Sequence, residues 1–282
     1  MKGSFGRTGP GWIPKFARWV GNRYAAGVPA EFLESRILRN AGFRHAFFTR
    51  RGGVSKGAYA SLNFSVTVGD APERVARNLA LAGEALGVTR ERVHFLSQVH
   101  GTATHVLLGG EEQDAVHRIE GDALVSRAPE IACGVRTADC VPILIADPRS
   151  GAVGAIHAGW RGVVRGAVEA GVRALRELAG ADAELVAAIG PHIRQAAFEV
   201  SEDVALELEG VSPIAGVTDR SGPKPHVSLA RIVHAKLLAL GLSETNVDDT
   251  GGCTVTEPER FYSFRRDGKI GGRHLSAIVA RY

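Results

Sequence analysis

The sequence predicts an α+β layered sandwich, in which mixed β-sheets are flanked by helices. Short apolar runs bounded by turn residues are typical of buried strands, and longer stretches with apolar residues three and four apart are typical of amphipathic helices. Both patterns recur along the chain, but they do not alternate regularly. The absence of a regular strand–helix alternation favours a layered α+β fold over a doubly wound parallel sheet.

The first half of the chain predicts one long helix among several short strands. The segment RHAFFTR, residues 44–50, reads as a strand that runs into the glycine-rich turn RGGVSKG. Residues 72–87 place Val75, Leu79 and Leu86 at helical spacing, so a helix is predicted there. Further strands are predicted at 93–101, 104–110, 121–127 and 131–137, with a polar loop at 111–121.

The second half begins with two apolar runs, 141–147 and 152–158, joined by the turn PRSG. Their short length and apolar character predict neighbouring buried strands. A helix is predicted over 160–180, because Val164 and Val172 fall on one face. The remaining predicted elements are a strand at 184–190, a helix at 228–241 and a closing strand at 274–282.

The basic residues of the chain are concentrated at its start. The formal net charge is +4, yet residues 1–30 carry five Lys or Arg and no Asp or Glu, so residues 31–282 sum to −1. We therefore predict a flexible basic leader over 1–34 and a single catalytic domain over 35–282. A nearly neutral domain does not indicate a nucleic-acid partner. No apolar run approaches the ~20 residues that span a membrane, so no membrane partner is predicted.

The three cysteines, Cys133, Cys140 and Cys253, do not predict a disulfide framework, because their number is odd. A reducing cytoplasm is the expected location. In that setting a lone cysteine serves as a core residue, a metal ligand or a nucleophile.

Three side chains with metal-binding chemistry lie at the ends of predicted strands: His100, Cys140 and His157. Two imidazoles and a thiolate suit zinc, and three protein ligands with one open position are typical of a catalytic zinc site. Alternatively, Cys140 is a small buried residue and both histidines are satisfied by backbone partners. In a further alternative, Cys140 is a nucleophile, His157 is its base, and Asp139 orients the histidine or polarises a substrate.

Arginines in glycine-rich turns predict a phosphate or a phosphorylated substrate, because the guanidinium fork matches phosphate and carboxylate. Arg161 lies beside the start of the predicted helix at 160, and Arg50 precedes a glycine pair. Arg265, Arg266 and Arg273 lie in the segment FYSFRRDGKIGGRH. The alternative for each is a solvated or salt-bridged surface arginine.

Seven segments occur in the order FFTRRGGVSKGAYASLNFSVTVGD, SQVHG, TADCVPILIAD, AIHAGWRG, AAIGPHI, FEVSEDV and FYSFRRDG. Together they resemble the YfiH-type laccase-domain family, whose members are also called polyphenol oxidases and purine nucleoside phosphorylases. The resemblance covers approximately residues 35–282. It implies an α+β sandwich with a distant likeness to cysteine-dependent hydrolase toxins.

The resemblance implies one zinc ion bound by His100, Cys140 and His157, which would also be the catalytic residues; copper is a possible replacement. Arg50 and Asn63 match family positions near the pocket. The implied activity is phosphorolysis of adenosine, inosine and methylthioadenosine to the free base and (methylthio)ribose 1-phosphate, with deamination of adenosine to inosine as a second reaction. The implied partners are purine nucleosides and phosphate, and a monomer is favoured.

One position departs from the family pattern, since His192 stands where the family usually has cysteine. Three alternative functions remain open. They are a Cys140–His157 hydrolase that edits a peptidoglycan precursor, a copper-dependent polyphenol oxidase, and a non-enzymatic partner-binding protein. The ten histidines contain no pair two residues apart, which argues against a multicopper oxidase.

Overall fold

Two mixed β-sheets pack face to face at the centre of the protein, in a computed structural model that describes residues 29–282. The predicted α+β class is confirmed. Residues 1–28, most of the predicted leader, lie outside the described residues. The last part of that leader belongs to the fold, because Phe32 pairs with Phe48 in the smaller sheet.

The structure contains strands and helices throughout the described range, and several short 3-10 helices connect them. The strands are β1 (Phe32–Leu33), β2 (His45–Phe48), β3 (Val93–His94), β4 (Thr104–Leu107), β5 (Ala123–Ser126), β6 (Ala132–Thr137), β7 (Val141–Ala146), β8 (Val153–Ala158), β9 (Val186–Ile189), β10 (Thr218–Asp219), β11 (His226–Val227), β12 (Val247–Asp249) and β13 (His274–Val279). The helices are α1 (Arg36–Asn40), α2 (Pro72–Leu86), α3 (Gln113–Val116), α4 (Trp160–Arg165), α5 (Ala167–Ala179), α6 (Glu202–Gly210), α7 (Leu229–Ala239) and α8 (Phe264–Asp267).

Both large sheets mix parallel and antiparallel neighbours. The larger sheet has the order β12-β9-β7-β8-β5-β4, with parallel pairs at its two edges and antiparallel pairs between them. The smaller sheet has the order β1-β2-β13-β6-β3, with one parallel pair, β6 with β3. Strands β10 and β11 form a separate antiparallel pair.

Apolar side chains fill three layers, which explains why the strands are apolar on both faces. Leu144 and Phe47 lie in the layer between the two sheets. Ile143 points to the other side, where the larger sheet packs against α5 and α7. Phe48 lies in the third layer, where the smaller sheet packs against α2. Alternate residues of a strand therefore enter different buried layers.

The helix predicted over 160–180 is two helices, α4 and α5, which meet at Gly166. Gly166 has φ +95°, in the left-handed region that interrupts a right-handed helix and favours glycine. The valine spacing indicated a helix correctly on both sides of the break, but one glycine within a helical pattern does not predict its conformation.

The strand predicted over 93–101 is also shorter than expected. Strand β3 ends at His94, and His100 lies in a loop beyond it. The polar loop predicted at 111–121 contains the short helix α3. Among residues 29–282, no helix combines the length and the apolar character needed to cross a membrane.

Candidate active site

The β7–β8 hairpin brings Cys140 and His157 to the same edge of the larger sheet. Pro142 pairs with His157, and Val141 pairs with Ala158. Cys140 directly precedes β7, and His157 is next to the end of β8. Their placement at the ends of neighbouring strands agrees with the expectation from sequence.

His100 lies beside Cys140 and His157, in a loop whose backbone is held by the carboxylate of Asp122. The Asp122 carboxylate accepts hydrogen bonds from the backbone N–H groups of Val99, His100 and Gly101, at 3.3, 3.0 and 2.6 Å. His100 itself has φ +58°, a conformation that is uncommon for residues other than glycine. The three hydrogen bonds stabilise this backbone turn, so Asp122 fixes where the His100 side chain begins.

Asp122 also orients His157. The Nδ1 of His157 donates a hydrogen bond of 2.7 Å to Oδ1 of Asp122, and both side chains are buried. The Nε2 of His157 is therefore the nitrogen left to act as a ligand or a base. The sequence hypothesis that Asp139 orients the histidine is wrong; Asp122 does so. Its sequence signal was weak, since it lies 35 residues from His157 and within a segment predicted only as a strand.

The three side chains form a cluster that could bind a metal ion. Their potential ligand atoms all lie within 4.8 Å of one another, and Cys140 Sγ is 3.7 Å from His100 Nε2. Zinc bonds to nitrogen and sulfur are about 2.0–2.3 Å long, so these atoms need little movement to share one ion. The buried Asp122–His157 hydrogen bond adds the carboxylate–histidine contact that is typical of metal sites.

Gly159 is required beside this cluster. A Cβ atom at this position would lie 2.5 Å from His100 Cδ2 and 3.0 Å from Cys140 Sγ. Any side chain here would displace one of the candidate ligands. Gly159 lies in the segment AIHAGWRG, and that pattern alone does not indicate its contact with the ligands.

Electrostatics favour a charged thiolate–imidazolium pair in the metal-free cluster. Burial would raise the pKa of Cys140, but the charge of His157 and hydrogen bonds from His100 and His157 outweigh burial and lower it. Burial would lower the pKa of His157, but Cys140 and Asp122 outweigh it and raise the pKa. The thiolate is the form of cysteine that binds metals and acts as a nucleophile.

The cluster opens onto a cavity of about 780 Å³, a size typical of small-molecule sites. Its walls combine aromatic rings with arginines. The aromatic lining residues are Trp160, Phe198 and Phe264. The arginines that line the cavity are Arg136, Arg161, Arg265 and Arg273. Arg136 had no role in the predictions from sequence, because it lies inside an apolar strand pattern.

Two of the other predicted site residues line this cavity. The Arg161 guanidinium lies 4.5 Å from the centre of the Trp160 ring. Asp139 has φ +93°, and its carboxylate accepts hydrogen bonds from Thr254 Oγ1, Ser263 Oγ and the backbone N–H of Arg265. These contacts show that Asp139 holds the turn next to Cys140. A contact between Asp139 and a substrate stays a prediction.

The structure does not bring Arg50 or Asn63 to the cavity lining. Arg50 donates to the carbonyl of Pro258 and lies over the ring of Tyr262, 4.6 Å from its centre. Asn63 is fully buried, and its Oδ1 accepts from the backbone N–H of Arg273 at 2.9 Å. Both residues connect loops around the site, and direct substrate contact by either is not supported.

His192 also lies away from the cavity lining. It is buried, and its Nδ1 donates a 2.8 Å hydrogen bond to the carbonyl of Gly190. Burial, with a smaller contribution from Arg194, lowers the pKa of His192 to about 4. His192 is therefore a neutral core residue at neutral pH.

Comparison with known proteins identifies relatives along nearly the whole described chain. Residues 44–281 match the model of a family described as multi-copper polyphenol oxidoreductase laccase. A purine nucleoside phosphorylase of Bacteroides thetaiotaomicron is 36% identical over 247 residues, covering 83% of this chain and 90% of the relative. A purine nucleoside phosphorylase of Deinococcus radiodurans is 38% identical over 240 residues, covering 85% and 90%.

Solved structures with the same fold include YlmD from Geobacillus stearothermophilus, with a TM-score of 0.81 and 30% identity, over 93% of this chain and 98% of that one. The hypothetical protein YfiH from Bacillus licheniformis superimposes with a TM-score of 0.82 and 25% identity, over 92% and 100%. These structural neighbours confirm the layered α+β architecture.

Proposed function

The chain belongs to the multi-copper polyphenol oxidoreductase laccase family, and from that membership we propose that it is a zinc-dependent purine nucleoside phosphorylase. The relatives that carry this activity in their names support the reaction class. The substrates we propose are adenosine, inosine and methylthioadenosine. Deamination of adenosine to inosine is proposed as a second reaction in the same cavity.

The observation that carries this proposal is the cluster of His100, Cys140 and His157 at the wall of a cavity large enough for a nucleoside. The two nitrogens and one sulfur suit zinc, and three protein ligands leave a coordination position for water or substrate. When bound, zinc would polarise a substrate oxygen or lower the pKa of a bound water. This donor set also accepts copper, so zinc is the first metal to test.

The protein side chains supply positioning and charge. Asp122 fixes the direction of the His157 ring, and the aromatic side chains of Trp160 and Phe198 offer flat surfaces for a purine base. In phosphorolysis, a phosphate oxygen forms a bond to C1′ of the ribose while the bond from C1′ to the base breaks. The base leaves with the electron pair and takes up one proton. The four arginines make the cavity wall positively charged, which favours an anionic co-substrate such as phosphate.

A multicopper oxidase mechanism is not supported by the histidine positions. None of the ten histidines is two residues from another. Across residues 29–282, the cluster at Cys140 is the one group of three or more His, Cys, Asp or Glu side chains arranged to hold a metal. Four-electron oxidation with several coppers needs more ligands than this single cluster provides.

A second candidate function is a thiol hydrolase acting on a peptidoglycan precursor. The observation in its favour is the order Cys140–His157–Asp122, in which a low-pKa thiol lies beside a histidine held by a buried carboxylate. In that reaction the Cys140 thiolate would attack an amide carbonyl, and the amine would leave with a proton from His157. Chelation distinguishes the two functions, because a hydrolase of this kind works without metal.

The test is chromatography of adenosine incubated with zinc-loaded protein, with and without phosphate. We expect adenine to form only when phosphate is present, and inosine to form in both samples. Cys140→Ala and a chelator should each abolish both products. Unchanged adenosine in every sample would contradict the proposal. Retained amidase activity after chelation would favour the hydrolase.

A further inference from the structure

Arg136 and Arg273 lie side by side on one face of the smaller sheet. Arg136 belongs to β6 and pairs with Leu275, while Arg273 directly precedes β13. In this antiparallel register the two arginines are diagonal neighbours on the same face of the sheet. Their Cβ atoms are therefore no more than about 7–8 Å apart. Both line the cavity that contains Cys140.

These two guanidinium groups have no acidic partner among residues 29–282. The Nε of Arg136 is buried without any hydrogen-bond acceptor, and its Nη atoms approach the carbonyls of Phe64 and Leu96 at long distances of 3.4 and 3.5 Å. Arg273 donates from Nη1 to the carbonyls of Gly271 and Gly272. Cys140 and Asp139 lie near enough to Arg273 to interact with its charge, but neither arginine forms a direct ion pair within the described range. Two adjacent, partly buried cations of this kind are stabilised by a bound anion.

Other arginines near the cavity are used differently. Arg266 pairs with Asp267 and donates to three backbone carbonyls. Arg265 donates to the carbonyls of Ala197 and Glu199, and Arg161 stacks on Trp160. Stacking alone does not distinguish Arg161, because Arg136 and Arg273 also lie over aromatic rings, those of Phe95 and Phe264. Arg136 and Arg273 differ from the other cavity arginines because they are neighbours on one face of the sheet and because the buried Nε of Arg136 has no acceptor in the part of the chain that the structure describes.

Two hydroxyl groups line the same cavity as Arg136 and Arg273. Ser65 and Thr67 line the cavity, and their oxygens lie 2.9 Å apart. They follow Phe64, whose backbone N–H donates to the carbonyl of Arg273. Gln98 fixes the Arg136 backbone, because its side-chain amide makes two 2.7 Å hydrogen bonds to it. Two guanidinium groups and two hydroxyls are donors suited to a tetrahedral dianion.

We propose that Arg136 and Arg273, with Ser65 and Thr67, form the subsite that binds inorganic phosphate. The proposal rests on the proposed function, and it makes phosphate the co-substrate held at this wall. A phosphate oxygen would then form the bond to C1′ as the bond from C1′ to the base breaks. The part of the wall formed by Trp160 and Arg161 is left for the nucleoside.

The test measures phosphate binding and turnover in Arg136→Met and Arg273→Met. Each variant removes charge-assisted donors, so we expect the dissociation constant for inorganic phosphate, measured by calorimetry, to rise about tenfold or more. The KM for phosphate should rise in parallel, while the KM for inosine changes less than about threefold. Arg173→Met is the matched control. It removes one exposed guanidinium from α5 outside the cavity, and it should bind phosphate as the parent does.

Arg136→Lys tests whether misfolding explains the loss of phosphate binding, because this variant retains the positive charge. We expect it to fold with unchanged zinc content and to bind phosphate with intermediate affinity, since lysine cannot offer a guanidinium fork. Full phosphate affinity in both methionine variants would overturn the subsite, as would a loss confined to Arg161→Met. Absence of phosphate binding to the parent protein would overturn it too.

The subsite and the proposed function can fail separately. Phosphate binding that depends on Arg136 and Arg273, without turnover of any nucleoside, would support the subsite and contradict the phosphorylase. Phosphorolysis with an unchanged phosphate KM in both variants would support the phosphorylase and contradict the subsite.

Discussion

Asp122 controls the geometry of the candidate metal cluster although it is not one of the three ligands. One oxygen accepts from His157 Nδ1, and the carboxylate also accepts from three consecutive backbone N–H groups at His100. Two of the three candidate ligands therefore depend on one buried side chain. A neutral amide cannot accept all of these hydrogen bonds, because one of its two groups is a donor.

Replacing Asp122 by asparagine should therefore weaken metal binding. We expect Asp122→Asn to lower zinc affinity about 10–100-fold, the range seen when a partner of a metal-bound histidine is removed. Competition with a chromophoric chelator measures this change. Asp147→Asn is the matched control. Asp147 is a buried carboxylate at the other end of the β7–β8 hairpin, where it accepts from Ser150 N–H. Equal losses of zinc affinity in the two variants would contradict the role of Asp122.

The candidate ligands could be predicted from sequence, but the residues that position them could not. His100, Cys140 and His157 carry metal-binding side chains within recognisable motifs. Asp122 is an ordinary aspartate before a strand, and its role arises from the pairing of β5 with β8. Arg50 and Asn63 lie in equally recognisable motifs, yet they connect loops behind the cavity wall. A motif shows which residues matter, whereas packing decides what each one touches.

At the scale of secondary-structure elements, the β7–β8 hairpin determines where Cys140 and His157 lie, and helix α4 follows directly with Trp160. The apolar runs predicted both strands within one residue of their ends. The break between α4 and α5 was not predicted, because the valine pattern continues through it. Gly166 makes the break with φ +95°. A Cβ atom added to Gly166 would have its nearest neighbour, Glu169 Oε2, at 3.7 Å, so there is space for a methyl group.

Substituting Gly166 should cost stability through its backbone conformation alone. We expect Gly166→Ala to lower the free energy of unfolding by about 1–2 kcal/mol, the cost of a left-handed conformation for a residue with a Cβ. Denaturant titration measures this difference.

Gly210→Ala provides the comparison for that measurement. Gly210 ends α6, has no positive φ, and has open space at its Cβ position. There alanine should be neutral or stabilising by up to about 1 kcal/mol. The explanation fails if both substitutions have the same effect.

At the scale of the whole molecule, burial in three apolar layers keeps several histidines neutral. Burial lowers the pKa of His192 and of His117 to about 4, and that of His274 to about 3. In the unfolded chain these groups take up a proton near their ordinary pKa of about 6.5. Because the unfolded state binds protons that the folded state does not, stability falls as the pH decreases from about 6.5 towards 4.

His192 allows this effect to be measured at one residue, because its ring is buried away from the residues that line the cavity. Cysteine takes up no proton in this pH range. Between about pH 6 and pH 5, the unfolding free energy of His192→Cys should therefore fall less steeply than that of the parent, by about 1.2 kcal/mol per pH unit. Denaturant titrations at several pH values give the two slopes. Parallel slopes would show that His192 titrates normally in the folded protein.

The layered α+β class could be predicted for the whole molecule, because the strand and helix patterns are strong and their order is irregular. The order of strands within each sheet could not be predicted. It depends on contacts between distant segments, such as β13 inserted between β2 and β6. The same long-range pairing places Arg273 beside Arg136, and no motif or spacing in the sequence indicates that these two residues are neighbours.

The measurement that tests the central claim most directly is phosphorus NMR of zinc-loaded protein with inosine and inorganic phosphate. We predict a ribose 1-phosphate signal that grows as the phosphate signal declines, with an equal amount of hypoxanthine released and no reaction in Cys140→Ala. Unchanged phosphate with intact inosine, or hypoxanthine released without a sugar phosphate, would contradict the assignment of this cavity to phosphorolysis.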